Sequence, residues 1–170
     1  MKLNKSQLKK IDELGYVIIP GCFSSEEVNN LRKAMTTVFN EKNEANIIEK
    51  SSGVVRTAMG LHLRSKIFDD LTRHPNFFVP ASQIRGHNLY IQQTKINVKA
   101  AFTGEVWQWH YDFATHHGED GSPKPLALNL HVFLDDVTEF NGPLFFIPKS
   151  HKYGSAPSKL DTVTTNYPLW

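Results

Sequence analysis

Leu89-Tyr90-Ile91-Gln92-Gln93-Thr94-Lys95-Ile96-Asn97-Val98-Lys99 is the stretch that decides the fold. Side chains two apart on a strand share a face. Ile91, Gln93, Lys95, Asn97 and Lys99 therefore lie on one side, and Tyr90, Gln92, Thr94, Ile96 and Val98 on the other. Four consecutive polar positions, two of them amines, make a poor core surface. The polar face has two readings. It is either the solvated outside of a sheet, or the lining of a barrel interior where ammonium and amide groups receive a small carboxylate-bearing molecule.

Working outward, Leu126 to Leu134 is a second strand candidate. Its even-numbered residues form an apolar face, while Ala127, Asn129, His131 and Phe133 form a mixed one. Gly118 to Pro125 reads as a loop. Asn141-Gly142-Pro143 makes a turn before the apolar run Leu144 to Ile147. The first half is mostly helical in pattern. Leu8, Ile11 and Leu14 sit at helical spacing, with Gly15 placed to end that helix. Tyr16 to Ile19, closed by Pro20, reads as a short strand. Ser24 and Glu27 have the form of a capping box, and Val28, Leu31, Met35, Val38 and Phe39 mark one face of a long helix behind it.

Helices followed by antiparallel strands indicate an α+β protein with a sandwich or barrel core. Three or four strands are too few to close a jelly roll, which takes about eight. The end at Tyr167-Pro168-Leu169-Trp170 carries two aromatics and no closing element. Either a partner covers this edge or the sequence is a fragment.

The chain's 170 residues are one domain's worth, residues 1–170. A formal charge of +2 and scattered lysines and arginines give no field to draw in nucleic acid or an anionic membrane. Cys22 is the single cysteine, so an intrachain disulfide and a thiolate zinc cage are both excluded. The opening residues lack the apolar stretch of a signal peptide, and no run approaches the ~18 apolar residues of a membrane span. A soluble cytoplasmic protein is the expectation.

The chemistry centres on Trp107-Gln108-Trp109-His110-Tyr111-Asp112. In a strand or its immediate extension, His110 and Asp112 point the same way and can offer an imidazole nitrogen and a carboxylate oxygen to one point. Those are two of the three ligands of a non-haem Fe(II) facial triad. The spacing alone also fits a histidine hydrogen-bonded to a nearby aspartate. His131 could approach the metal, although a satisfied structural histidine suits its place better. His116 and His117 either line a substrate mouth or face solvent. His62, His74, His87 and His151 read as structural or surface residues.

These blocks resemble the phytanoyl-CoA dioxygenase superfamily, in particular its bacterial ectoine hydroxylases and free-amino-acid (proline-type) hydroxylases. The resemblance runs through Gln93 to Lys99, Trp109-His110-Tyr111-Asp112-Phe113, Glu119-Asp120-Gly121, Asn141-Gly142-Pro143-Leu144 and Ile147-Pro148-Lys149-Ser150-His151. Gly15-Tyr16-Val17-Ile18 and Ser24 to Val28 resemble the family's opening. The resemblance implies N-terminal helices plus part of a double-stranded β-helix (jelly-roll, cupin-like) core, here incomplete. It implies Fe(II), 2-oxoglutarate and O2 as cofactor and co-substrates, with His110 and Asp112 as iron ligands. Lys99 and Asn97 match co-substrate positions, Gln93 and His116 match substrate positions, and His151 matches a histidine that is not a ligand.

Position 116 is His where ectoine-hydroxylating members carry tryptophan, and position 95 is Lys where they carry arginine. This argues against ectoine and for an amino acid or derivative as the small-molecule partner, with self-association left open. The family's third ligand histidine and its co-substrate arginine find no match after Asp112. The alternative is a truncated, non-catalytic binding module or remnant. A cupin-like enzyme using another metal fits less well, because cupins bring more histidines to one strand pair.

Overall fold

The computed structural model describes residues 1–50, 52–100 and 109–153. Trp107, Gln108, Gly154 and the aromatic end at Tyr167–Trp170 lie outside the described residues. Two compact units emerge: residues 1–2, 19–100 and 132–136 form the first, and residues 3–18, 109–131 and 137–153 the second.

The first unit is built around helix α2, Ser25–Phe39. The capping box forms as read from sequence. Ser24 Oγ accepts from Glu27 N–H at 3.2 Å, and Glu27 Oε2 accepts from Ser24 N–H at 2.7 Å. Those bonds, with the Ser24 backbone the largest cause, hold the Glu27 carboxyl below the usual carboxylate range. Ser24→Ala is expected to lower stability by about 1 kcal/mol, read from the urea midpoint. Because the folded-state pKa of Glu27 is depressed, its contribution is present above its unfolded value of about 4.3. It is lost as pH falls through the folded value. The gap between Ser24→Ala and the unaltered protein should therefore narrow in acid.

Leu31 and Val38 of α2 are buried with Ala58, Leu61 and Phe68, and Met35 and Phe39 pack against that cluster. Strands β1 (Asn46–Ile48), β2 (Val55–Met59) and β3 (Lys95–Asn97) make one antiparallel sheet in that order. Helices α3 (Leu61–Arg64), α4 (Lys66–Thr72) and α5 (Pro75–Arg85) follow β2. β1 and β2 were not anticipated, although Ile47, Ile48, Val54 and Val55 around a turn at Gly53 carry a strand signal.

Arg64 ties this unit together. Its Nη2 donates to Glu41 Oε2 at 2.7 Å, Asn46 Oδ1 at 2.9 Å and the Val38 carbonyl at 3.1 Å, while Nη1 reaches the Met59 carbonyl at 3.1 Å. The guanidinium side chain is only 9% exposed. Asn46 in turn donates to Val38 O and Glu41 O. One cation thus fastens the end of α2 to both β1 and β2.

The alternation of the deciding stretch holds from residue 94 to 100: Lys95, Asn97 and Lys99 are exposed, and Thr94, Ile96, Val98 and Ala100 are half-buried. The strand itself is shorter than expected. β2 spans five residues, and Gly60 at φ 65° turns the chain away after it. Residues before Thr94 therefore have no β2 neighbour to pair with.

Two other expected strands are not ladders. Residues 126–134 find no strand partner among the described residues, and the same is true of residues 16–19. Alternation states how a segment would face a core; it does not supply a partner. The described residues thus hold a three-stranded sheet, and the further strands of a jelly roll are not among them.

In the second unit, α1 (Lys5–Leu14) starts at a capping box between Asn4 and Gln7 and ends at Gly15, φ 91°. Gly15 is needed there twice over. Its conformation is left-handed, and a Cβ would lie 2.5 Å from Nδ1 of His151. That imidazole donates from Nε2 to Asp12 O at 3.0 Å, and Lys149 N–H donates to Leu14 O at 2.9 Å. The turn of 3-10 helix at Ser150–Lys152 therefore caps α1. The loop expected between residues 118 and 125 is present. No described helix is long and apolar enough to cross a membrane.

Candidate functional site

His110 and Asp112 lie in the second unit, at the start of helix α6 (Asp112–Gly118) rather than on a strand. The correction follows from local chemistry: an aspartate suits the first turn of a helix, where the backbone N–H groups lack partners. The two side chains still converge. His110 Nε2 is 3.3 Å from Asp112 Oδ1, with the side chains 63% and 40% exposed. Two donors about 2.1 Å from a metal and at right angles would stand about 3 Å apart. The pair therefore fits a cation held between nitrogen and oxygen. Among the described residues, no group of three metal-binding side chains converges.

Asn129 was not read as a site residue. Its Nδ2 donates to Asp112 Oδ2 at 2.5 Å, so one carboxylate oxygen is held while the other faces His110. Outer partners of this kind fix the orientation of metal-binding carboxylates. Its place on the mixed face of 126–134 was the only hint, because the contact spans 17 residues of sequence.

One turn on from Asp112, at the i+4 spacing that shares a helix face, His116 sits with its Nδ1 2.9 Å from Asp120 Oδ2 and its side chain 18% exposed. A carboxylate only accepts, so Nδ1 is the donor and the ring is oriented. His117 Nδ1 meets the Ser122 carbonyl at 2.9 Å, and its ring lies 5.4 Å from that of Phe113.

The co-substrate candidates Lys99 and Asn97 and the substrate candidate Gln93 lie in the first unit. Lys99, Gln93 and Asn97 are exposed, and Asn97 Oδ1 accepts from the Thr57 hydroxyl at 3.1 Å. The remaining histidines are locally engaged where described. His62 Nδ1 is 2.7 Å from Thr94 Oγ1, and His74 accepts from Asn76 N–H at the start of α5. His87 and His131 are exposed.

The chain is 32% identical to the apo form of EctD from S. alaskensis, at a TM-score of 0.83, covering 88% of this chain and 55% of that one. A second EctD structure, with 2-oxoglutarate and 5-hydroxyectoine, is 28% identical, at a TM-score of 0.69 over 73% of this chain and 45% of that one. Among curated relatives, an L-proline trans-4-hydroxylase of Streptomyces griseoviridis is 38% identical over 140 residues, 82% of this chain and 52% of the relative. An ectoine dioxygenase of Bordetella bronchiseptica is 35% identical over 154 residues, 88% and 50%. Residues 11–170 match the phytanoyl-CoA dioxygenase (PhyH) family, and the chain belongs to it. It spans about half the length of the curated relatives it matches.

Proposed function

We propose that the protein is an Fe(II)- and 2-oxoglutarate-dependent dioxygenase hydroxylating a free amino acid or a close derivative, with residues 1–170 forming one domain that contributes part of a jelly-roll core. The observation that carries this reading is the 3.3 Å approach of His110 Nε2 to Asp112 Oδ1, beside a carboxylate oxygen already held by Asn129. Family membership and the two kinds of relative support it. A solved EctD from S. alaskensis holds iron, and another holds 2-oxoglutarate.

In this reading His110 and Asp112 hold Fe(II), and Asn129 keeps Asp112 turned toward it. Lys99 pairs its ammonium with a co-substrate carboxylate, and Asn97 donates from its amide beside it. Gln93 and His116 contact the substrate, the latter with its ring oriented by Asp120. With O2 and 2-oxoglutarate, the iron supplies the oxidation that converts a C–H bond to C–OH while 2-oxoglutarate leaves as succinate and CO2.

Histidine at position 116, in place of the flat tryptophan wall of ectoine hydroxylases, favours a polar amino acid over ectoine. The identity to a proline hydroxylase points the same way.

Sequential titration calorimetry of the protein with Fe(II) and then 2-oxoglutarate tests the reading. One equivalent of each should bind, and Asn129→Ala should weaken Fe(II) about tenfold. Absence of binding by either component would overturn it.

A further inference from the structure

The hydrogen bonds flanking β3 explain how two short polar side chains meet on its exposed face. Val98 N–H donates to Arg56 O, and Gly60 N–H donates to Thr94 O, each at 2.8 Å. In an antiparallel pair, hydrogen-bonded and non-hydrogen-bonded residue pairs alternate. Thr57 and Asn97 are register partners one step in from Arg56 and Val98, so they form a non-hydrogen-bonded pair. Such pairs bring their Cα atoms to about 4.5 Å rather than about 5.5 Å, with side chains correspondingly closer. The Thr57 hydroxyl uses that proximity to donate to Asn97 Oδ1 at 3.1 Å.

Burial divides the two residues. Thr57 is 5% exposed, whereas Asn97 lies on the open face with Lys95 and Lys99. A β-branched side chain has few χ1 choices, and burial leaves it fewer. The hydroxyl therefore holds the Oδ1 end of the amide, on the exposed strand face that Asn97 shares with Lys95 and Lys99. A carboxylate accepts from an amide N–H and an ammonium alike.

We propose that Thr57 is a positioning residue for 2-oxoglutarate: it fixes the rotamer and flip of Asn97 so that Nδ2 donates to a co-substrate carboxylate. This rests on the function proposed above and extends it to a buried residue that does not itself touch the ligand.

The test is calorimetric titration of 2-oxoglutarate into the Fe(II)-loaded full chain without oxygen. Thr57→Val keeps the shape and removes the donor, and should raise the Kd about tenfold. Thr57→Ser should stay within about twofold of the unaltered protein, and Fe(II) affinity should not change in either. With Asn97→Ala already present, Thr57→Val should add nothing, since it acts through that amide. Should Thr57→Val fail to fold, Thr57→Ala should give the same pattern. Wild-type affinity in Thr57→Val, alongside weakened binding in Asn97→Ala, overturns the role of Thr57 and leaves the functional reading standing. Unchanged affinity in Asn97→Ala, or no 2-oxoglutarate binding by the unaltered protein, overturns the reading of this face and the role of Thr57 with it.

Discussion

Replacing His110 by alanine should lower iron-dependent conversion of 2-oxoglutarate to succinate by at least about a hundredfold, or about 2.7 kcal/mol of transition-state stabilisation. The size follows from position. His110 and Asp112 are the two donors that converge, and no third metal-binding side chain joins them among the described residues. Losing one of two leaves a lone carboxylate, a poor trap for a divalent ion at micromolar concentration. Even partners that only orient a ligand cost 10- to 100-fold, so a ligand should cost more. Because the His110 side chain is 63% exposed, the substitution should leave thermal stability nearly unchanged. A drop in melting temperature together with lost activity would point to a structural role instead.

The second large effect is on folding. Arg64→Ala should destabilise the protein by about 3–5 kcal/mol, because the nearly buried guanidinium serves Glu41, Asn46 and the Val38 and Met59 carbonyls at once. For a chain of this size that is a fall of roughly 10 °C in melting temperature. Thermal unfolding followed by circular dichroism reads it directly. A shift under about 2 °C would mean that water replaces the guanidinium without penalty.

What the sequence made legible was local. The capping box at Ser24 and Glu27, the apolar stripe of α2, the helix stop at Gly15 and the alternation from residue 94 to 100 each depend on neighbours within a few positions. The length of β3 was not legible, because it is set by β2 and by the turn at Gly60, more than thirty residues earlier in the chain. The same applies to Arg64, whose partners come from α2's end, β1 and β2.

At the site, His110 and Asp112 were expected in a strand or its immediate extension; the structure sets them 3.3 Å apart where a helix begins. The separation of two residues serves equally in an extended segment and at a helix start, and nothing in the spacing distinguishes them. Asn129 and Thr57 escaped notice for one reason: each meets its partner, 17 and 40 residues away in sequence, only once the chain has folded.

The most direct test of the central claim is to follow 2-oxoglutarate, Fe(II) and O2 with a free amino acid such as proline, and to count succinate against hydroxylated product. Succinate formation should require Fe(II), be matched mole for mole by hydroxylated amino acid, and disappear in His110→Ala. Succinate formed equally well without iron, or undiminished in His110→Ala, would contradict that claim.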